Sequence, residues 1–415
     1  MIKKFIFLFV LLISVISHGQ QATSSPYSFY GIGDVRFKGN TEARMMGGAS
    51  VFADSIHLNF QNPASFSGMK LTTFTVGGSF NSAHLNAFKG NEKSQRSTLD
   101  YLMVAIPLKK SGFGFGLIPY SSVGYKIRNT DPLTSDYKYF EGTGGVNKVF
   151  ASYAYKFKPN LSVGLSAHYN FGQIETTSVN KIFVAQLGTQ EVNTSELSGF
   201  SLDIGAYYNY KVNPKLDLTT SFVFSPQTSL KSRNTQVISS VYLIDGFEPI
   251  NVDKLDEVNQ TNTLHLPAKY TFGIGLGQNK KWMVATEFTL QQSSNFGVRT
   301  NDLSKVAYEN GFKYSLGGYY IPNYSSFSSY FKKITYRAGL RYERTGMIIN
   351  QERIRDYALT GGFGLPLGGA FSNLNLGVEW GRRGTAKALL IEENYTNVII
   401  SLSLNDRWFI KRKYD

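Results

Sequence analysis

The chain has 415 residues, no cysteine and a formal net charge of +14. The lack of cysteine excludes thiol catalysis, disulfides and cysteine metal sites. A positive charge of this size raises nucleic acid as a partner. However, many of the basic residues lie in short predicted turns, such as Lys109-Lys110, Lys280-Lys281 and Lys332-Lys333. Turns that face anionic lipid headgroups explain this placement better, so we expect no nucleic-acid partner.

The composition combines a polar average with many aromatic residues. The chain holds 26 Tyr, 31 Phe and 40 Gly, only 17% of its residues are charged, and its mean hydropathy is -0.19. This average is too polar for a bundle of transmembrane helices. A β-barrel with a wet lumen and an apolar outer surface gives such a mixture, and a barrel of this size would form a single domain.

The first 19 residues have the pattern of a secretory signal peptide. Lys3-Lys4 precedes an almost wholly apolar run from Phe5 to Ile16, and Ser17-His18-Gly19 supplies small residues for cleavage. A membrane anchor helix is the weaker interpretation because the apolar run is too short to span a bilayer. We therefore expect export from the cytoplasm.

Residues 20–69 show no regular strand period, although they come directly before the first predicted strand. A stretch of this length that forms no strand pairs of its own would either extend into the periplasm or fold into the lumen. Its apolar content favours burial, and so we predict an N-terminal plug. The apolar residues concerned are Met45, Met46, Val51, Phe52, Phe60 and Phe66.

Residues 70–415 predict an all-β transmembrane antiparallel barrel of about 14 strands. The last strand, Val398–Leu404, is typical, because apolar Ile400, Leu402 and Leu404 alternate with Ser401 and Ser403. Segments with this period of two recur along the chain at the length needed to cross a bilayer. An even count is what a closed bacterial barrel requires.

The predicted connections alternate between short and long. Turns such as Lys158-Pro159-Asn160 carry Pro, Asn and Lys and would lie on the periplasmic side, together with both termini. The other connections are long and polar, which is the arrangement of outer-membrane barrels. They include residues 81–98, 129–146, 172–197 and 226–263. Pro267 either breaks the pairing of one strand or marks its start, since proline donates no hydrogen bond to a ladder.

The stretch from Ala43 to Ser67 resembles the N-terminal hatch of the FadL/TodX family of outer-membrane barrels. The resemblance rests on Gly47-Gly48-Ala49, Ala53-Asp54 and Asn62-Pro63-Ala64, and Leu266-Pro267-Ala268 is similar to a family strand start. His57 departs from the family pattern. The resemblance implies fourteen strands, a lumenal plug and lateral release of a hydrophobic ligand beside a kinked strand. PorV-like barrels of the same type serve type IX secretion, so the likeness implies a fold more than an activity.

Two sets of residues are candidates for function. The predicted ligand and gating residues of the plug are Asn62, Pro63, Ala64, Phe60 and Phe66. The predicted lumenal charges are Lys148, Lys156, His168, Asp203, Glu287, Arg337, Arg341 and Glu379. These charges either line a path, with Arg337 and Arg341 best suited to a ligand carboxylate, or form salt bridges that hold the plug. No metal site, cofactor or catalytic group is expected, because the histidines lack metal spacing and no triad is evident.

These patterns lead to two hypotheses of function. The first is a passive channel or transporter for hydrophobic small molecules similar to long-chain fatty acids, gated by the plug. The second is a non-transporting barrel subunit of a secretion or protein-assembly complex, with the 226–263 loop or the basic turns as its docking surface. A transporter requires a continuous apolar pocket at the plug, whereas a subunit requires a packed lumen and partners in stable ratio. Lipid or lipopolysaccharide would surround the barrel in either case.

Overall fold

The computed structural model describes residues 23, 25–35, 38–51, 58–88, 90–130, 134–243, 249–295, 306–367 and 372–407. The predicted signal peptide, Phe52 and His57 lie outside the described residues. No helix in these ranges is long and apolar enough to span a membrane. The described secondary structure is almost entirely antiparallel sheet.

Eighteen strands are described, and they form one sheet. In chain order they are β1 (Asp34–Val35), β2 (Thr72–Ala87), β3 (Gly90–Pro107), β4 (Ser111–Thr130), β5 (Tyr137–Lys158), β6 (Leu161–Lys181), β7 (Gly188–Asn213), β8 (Leu216–Ser225), β9 (Thr228–Tyr242), β10 (Ile250–Leu266), β11 (Lys269–Gln278), β12 (Trp282–Gln291), β13 (Val306–Tyr308), β14 (Gly311–Tyr320), β15 (Thr335–Ile349), β16 (Glu352–Pro366), β17 (Asn373–Arg383) and β18 (Glu392–Asp406). The only α-helix described, α1, covers Thr41–Arg44. Short 3-10 helices cover Pro26–Phe29, Pro63–Gly68, Ser293–Asn295, Phe331–Lys333 and Lys387–Leu389.

These strands build a closed 14-stranded barrel. Because β18 pairs with β2 along its whole length, the last strand closes the sheet on the first. Eleven wall strands are continuous, and three are each made of two pieces: β8 with β9, β10 with β11, and β13 with β14. The predicted fold class is therefore confirmed.

The alternation read from the sequence sets the two faces of the wall. On β6, Leu165, Tyr169 and Phe171 are exposed on the outside, while Ser166 and His168 between them are buried inside. Successive side chains of a strand point to opposite faces, so this pattern gives an apolar exterior and a polar lumen.

The prediction of long polar connections between strands on one side of the barrel was wrong in four places. Residues 81–98, 129–146, 172–197 and 226–263 are largely strand. The ladders continue past the apolar band, and beyond the bilayer both faces of a strand can meet water, so polar residues are no obstacle to pairing. Six strands (β4, β5, β6, β7, β9 and β10) rise together in this way. We call their extension the tall wall.

Two prolines interrupt adjacent wall strands at the same height. Pairing of β10 with β9 ends at Leu266, and pairing of β11 with β8 begins at Lys269. Pro267 therefore lies outside both ladders. Pro226 lies in the facing break between β8 and β9. Of the two alternatives for Pro267, the structure has the local loss of pairing, because a ring without an N–H cannot continue a ladder.

The described residues of the N-terminal segment pack against the inner face of the barrel. Met45, Ala49 and Val51 have no exposed surface, and Phe66 is 1% exposed. Wall glycines make room for this segment. A Cβ on Gly317 or Gly339 would meet the backbone of Met46, and a Cβ on Gly114 would meet the ring of Phe66. Glycine on these strands therefore permits close approach of a second backbone.

Candidate functional site

The described ladder between β3 and β4 covers only part of the two strands, and we call the gap beyond it the opening. These strands pair only from Leu102 to Pro107 on β3, which face Gly112 to Leu117 on β4. Among the described residues, no pairing joins the remainder of the two strands. Beyond Leu117, β4 turns inward, and its residues from Tyr120 to Tyr125 are buried. The departure follows a break in the β4–β5 register between Pro119 and Ser121.

The N-terminal segment covers the edge of β4 that β3 leaves. β1 pairs with β4, with Asp34 opposite Ser122 and Val35 opposite Ser121. Ser121 Oγ donates to the carbonyl of Ile32 at 2.7 Å, and Gly124 N–H donates to Ser28 Oγ at 3.1 Å. The opening thus leads toward the segment rather than into an empty lumen.

A buried ion network ties this segment to the wall. Arg44, at the end of α1, contacts Asp100 on β3 at 2.8 Å and Glu379 on β17 at 3.0 Å. Arg341 on β15 reaches the other oxygen of Glu379 at 2.6 Å. The side chains of Glu379 and Arg341 are 0% and 1% exposed. A guanidinium forks between two carboxylates, so geometry as well as charge fixes α1 in place.

The same network continues to a second cation of the segment. Asp356 on β16 contacts Lys38 at 2.8 Å and Arg341 at 3.4 Å. Tyr395 donates to Asp356 at 2.6 Å and accepts from Arg341 at 2.9 Å. The network as a whole contains three cations (Lys38, Arg44, Arg341) and three carboxylates (Asp100, Asp356, Glu379), so its formal charge is zero.

Arg44 stays charged within this network. Burial alone would lower the pKa of Arg44, but the neighbouring carboxylates of Asp100 and Glu379 offset the burial and raise that pKa above its ordinary value.

The predicted gating residues lie together at the short-turn half of the barrel. Asn62 caps the 3-10 helix that begins at Pro63, accepting from Ala64 N–H at 3.0 Å, and it donates to the carbonyl of Ala206 on β7 at 3.0 Å. Phe66 lies against Gly114, and the Phe60 ring lies 5.2 Å from that of Tyr101 and 6.3 Å from that of Phe150. This end of the segment is held by apolar packing and hydrogen bonds.

The predicted lumenal charges fall into separate groups. Lys148 lies over the ring of Tyr120 at 3.5 Å. His168 is 3.6 Å from Asp203 and 3.1 Å from Ser166 Oγ. Lys156, which is half-buried, lies near the short turn at residues 159–160 and joins neither group in the described contacts.

The remaining predicted charges contact the segment or its surroundings. Glu287 accepts from both Ser50 N–H, at 2.9 Å, and Ser50 Oγ, at 2.8 Å. Arg337 donates to Asn375 at 3.2 Å, and Asn375 in turn donates to Glu42 on α1 at 2.9 Å. Of the predicted set, the structure brings two pairs into direct contact, Arg341 with Glu379 and His168 with Asp203.

Sequence reasoning missed several members of the network, namely Lys38, Arg44, Asp100 and Asp356. Asp356 could have been found from the strand alternation, because it shares the inward face with Ala358 and Thr360. Asp100 could not, because it lies in a register shift of the β2–β3 ladder, where Gly77 pairs with Tyr101 and Gly78 with Leu99. No strand period marks residues in the segment itself.

A cavity of about 60 Å³ lies between the segment and strands β2, β17 and β18. Its lining is mainly polar and charged: Thr23, Ser25, Asp34, Val35, Lys38, Arg44, Asn81, Ala83, Leu85, Arg383, Glu393, Tyr395 and Asn397. Its volume is well below the ~300 Å³ at which small-molecule pockets begin. The chemistry suits a few water molecules rather than an acyl chain.

Tyr101 offers a direct test of how α1 is held. Its hydroxyl accepts from Thr41 N–H at 3.2 Å and lies 3.0 Å from Thr41 Oγ1, and its side chain is 1% exposed. We expect Tyr101→Phe to lower the free energy of unfolding by about 1–2 kcal/mol, because Thr41 loses a buried partner. Tyr153→Phe, at an outward position that is 50% exposed, should change it by less than about 0.5 kcal/mol. Equal effects in denaturant titrations of both variants would contradict this role.

Comparison with known proteins gives a family and a fold. The crystal structure of the P. putida toluene transporter TodX superposes with a TM-score of 0.61 at 16% sequence identity, covering 90% of this chain and 100% of that one. A TodX deltaS2S3 mutant, described as a monoaromatic hydrocarbon channel, gives 0.57 at 15% identity, covering 88% and 98%. At such identities the structural likeness shows the fold alone. No curated protein matches the chain. The resemblance to the FadL/TodX family thus holds for the fold and not for the exact family. A family model named BamG matches residues 1–415, and this chain therefore belongs to the BamG family.

Proposed function

We propose that this protein is a barrel subunit of an outer-membrane protein-assembly complex, not primarily a channel. Membership of the BamG family over the whole chain supports a role in such a complex. The observation that carries the proposal is the buried, charge-balanced network between the N-terminal segment and the inner face of the wall. The role involves no catalysis and no cofactor.

The network argues against routine gating by movement of the segment. To clear the lumen, Arg44 would have to leave both Asp100 and Glu379, and Glu379 has no exposed surface. Separating one partner of a buried ion pair costs about 3–5 kcal/mol, because a charge is left without compensation. A segment held in this way is better suited to stay in the lumen and stiffen the barrel than to act as a movable gate.

The fold supports an outer-membrane location. The outside of the wall carries the exposed apolar residues that a bilayer requires, and closure of the sheet leaves most backbone groups paired. In the proposed orientation the short turns and both termini face the periplasm, and the tall wall faces the cell exterior.

A second candidate function rests on the opening between β3 and β4. Such an opening could admit a hydrophobic molecule from the outer leaflet to the region around Phe60, Phe66, Asn62, Pro63 and Ala64. The TodX-like fold favours this candidate. The segment along β4 opposes it, because β1 and the residues around Ser28 occupy the path inward.

Purification of the full-length protein from its native membrane in mild detergent tests both candidates. For a complex subunit we expect other proteins to co-elute in fixed ratio at every step. We also expect the isolated protein to conduct no ions in planar bilayers and to give no accelerated uptake of toluene or oleate in proteoliposomes. A protein that elutes alone and accelerates uptake would overturn the first proposal and establish the second.

A further inference from the structure

One connection on the short-turn side of the barrel carries several exposed aromatic residues. Residues 322–333 lie between β14 and β15, and we call them the aromatic loop. Phe327 is 100% exposed and Phe331 is 72% exposed. Tyr324 and Tyr330 are exposed as well. A contiguous group of exposed aromatic side chains indicates a surface that meets a membrane or a partner.

Hydrogen bonds give the aromatic loop a defined shape. Asn323 N–H donates to the carbonyl of Lys332 at 2.8 Å, which brings the two ends of the loop together. Lys333 N–H donates to the carbonyl of Tyr330 at 2.9 Å. Compact surface loops whose ends meet in this way are frequently functional. The exposed rings are therefore carried on a backbone that is hydrogen-bonded to itself.

The aromatic loop lies beside the outer surface of the wall. On β15 the ring of Tyr336 lies 5.6 Å from that of Phe363, which is exposed on the outside of β16. The hydroxyl of Tyr336 donates to the carbonyl of Phe331 in the loop at 3.3 Å. Tyr330 donates to the carbonyl of Pro366, at the end of β16, at 3.1 Å. The loop is thus continuous with the apolar exterior of the barrel.

Four lysines lie in the aromatic loop and the turn next to it. Lys332 and Lys333 belong to the loop, and Lys280 and Lys281 lie in the turn between β11 and β12. The loop and the turn are connected, because Ile321 N–H donates to the carbonyl of Lys281 at 2.6 Å. The four ammonium groups therefore belong to one basic surface.

The positive charge of this surface is not balanced by the sequence around it. The aromatic loop, the Lys280-Lys281 turn and strands β11 and β14 contain no acidic residue. The turns on either side add no excess of negative charge, since residues 367–372 are uncharged and residues 211–217 hold one aspartate and two lysines. Charge complementarity therefore favours an anionic counterpart from outside the chain.

The position of the aromatic loop favours a lipid over a protein as its occupant. A bilayer that covers the outward faces of β15 and β16 must end close to the strand ends that contact the loop. Lys280 Nζ lies 4.6 Å from the centre of the Tyr324 ring, and Lys333 Nζ lies 6.0 Å from that of Phe327. Aromatic rings beside lysines are typical of a membrane interface, where the rings lie at the headgroup level and the ammonium groups reach toward water and phosphate.

We propose that the aromatic loop and the Lys280-Lys281 turn bind the headgroups of anionic phospholipids in the periplasmic leaflet of the outer membrane. The rings of Phe327 and Phe331 enter the boundary between headgroups and acyl chains, and the lysines contact the phosphates. Apolar insertion and basic charge act together, because either signal alone gives only weak membrane binding. This inference rests on the outer-membrane location and orientation proposed above, and it is independent of the role as a subunit.

Single-cysteine spin labels test the depth of the aromatic loop. The chain has no cysteine, so a nitroxide can be attached at one chosen position without background. The variants are Phe327→Cys, Leu340→Cys on the outward face of β15 and Phe183→Cys in the exposed turn between β6 and β7. Each full-length protein is reconstituted in vesicles of phosphatidylcholine and phosphatidylglycerol. We expect the labels at positions 327 and 340 to collide mainly with oxygen, which dissolves in the bilayer, and the label at position 183 to collide mainly with a water-soluble nickel chelate.

Lysine variants test the anionic headgroup. Lipid that stays with the wild-type barrel after extraction from these vesicles in mild detergent should be enriched in phosphatidylglycerol relative to the bulk. Lys332→Gln combined with Lys333→Gln should reduce this enrichment about threefold or more, because two contacts to phosphate are lost. Lys109→Gln combined with Lys110→Gln removes the same charge from another turn on the same side and should leave the enrichment unchanged. Folding of each variant is checked by its heat-modifiable migration in electrophoresis.

The outcomes separate this inference from the proposed location. If the label at position 340 lies in lipid but the label at position 327 stays in water, the lipid site is wrong and the membrane location stands. A label at position 327 that is in water in vesicles but shielded in native membranes would identify a protein as the occupant and also overturn the lipid site. Equal loss of enrichment in both lysine variants would show that charge acts without the aromatic loop. A label at position 340 in water would contradict the membrane location, and the lipid site would fail with it.

Discussion

Arg44→Met should lower the free energy of unfolding by about 3–5 kcal/mol, because it leaves Asp100 and Glu379 without their shared cation. Glu379 keeps its ion pair with Arg341, but the nearby carboxylate of Asp100 is then left without a cation. The N-terminal segment should also become accessible to protease in the intact barrel. Denaturant titration in detergent or lipid measures the first effect, and timed digestion measures the second.

Two further variants distinguish the network from a general loss of packing. Arg353→Met removes a 55% exposed partner of Glu309 and should cost less than about 1 kcal/mol. Glu379→Gln introduced together with Arg44→Met should recover part of the lost stability, so that the double-mutant cycle shows coupling. Additive effects of Arg44→Met and Glu379→Gln would show that the two groups do not depend on each other.

Gly339→Ala should displace the N-terminal segment by adding a side chain to the wall instead of removing a contact. Its Cβ would meet the backbone of Met46 and Gly47, which cannot turn aside as a flexible side chain can. We expect a loss of about 1–3 kcal/mol, the usual cost of overpacking, together with increased proteolysis of the segment. Denaturant titration and digestion under the same conditions provide the measurements.

Gly361→Ala is the control for that change. Gly361 lies on the next strand, β16, and an added Cβ there would have one neighbour, the carbonyl of Arg337, at an ordinary 3.5 Å. Because alanine also reduces the freedom of the unfolded chain, Gly361→Ala should be neutral or stabilising by up to about 1 kcal/mol. If both alanine variants behave alike, close approach of the segment to the wall is not what requires glycine at Gly339.

The wall could be predicted from the sequence because its signal is local. Alternation along β6 or β18 reports which medium each face meets, and this period survives without knowledge of the neighbouring strands. The height of the tall wall could not be predicted in this way. Beyond the bilayer both faces of a strand meet water, so the alternation that separates strand from loop disappears, as it does along β10.

The contents of the lumen were predictable only in part. Arg341 and Glu379 were found because their strands assign them to the inner face. Arg44, which pairs with Glu379, and Lys38, which pairs with Asp356, belong to a segment without a strand period. Their pairing depends on contacts between residues more than 300 positions apart. Such contacts follow from closure of the barrel, which no local pattern records.

The position of the carboxylates around Arg44 has a consequence for biogenesis. Asp100 lies on the second wall strand and Glu379 on the thirteenth, so the two come within reach of one guanidinium only after β18 has joined β2. Before the sheet closes, the binding site for the N-terminal segment is therefore incomplete. The segment therefore reaches its final position only once the seam between β18 and β2 has closed.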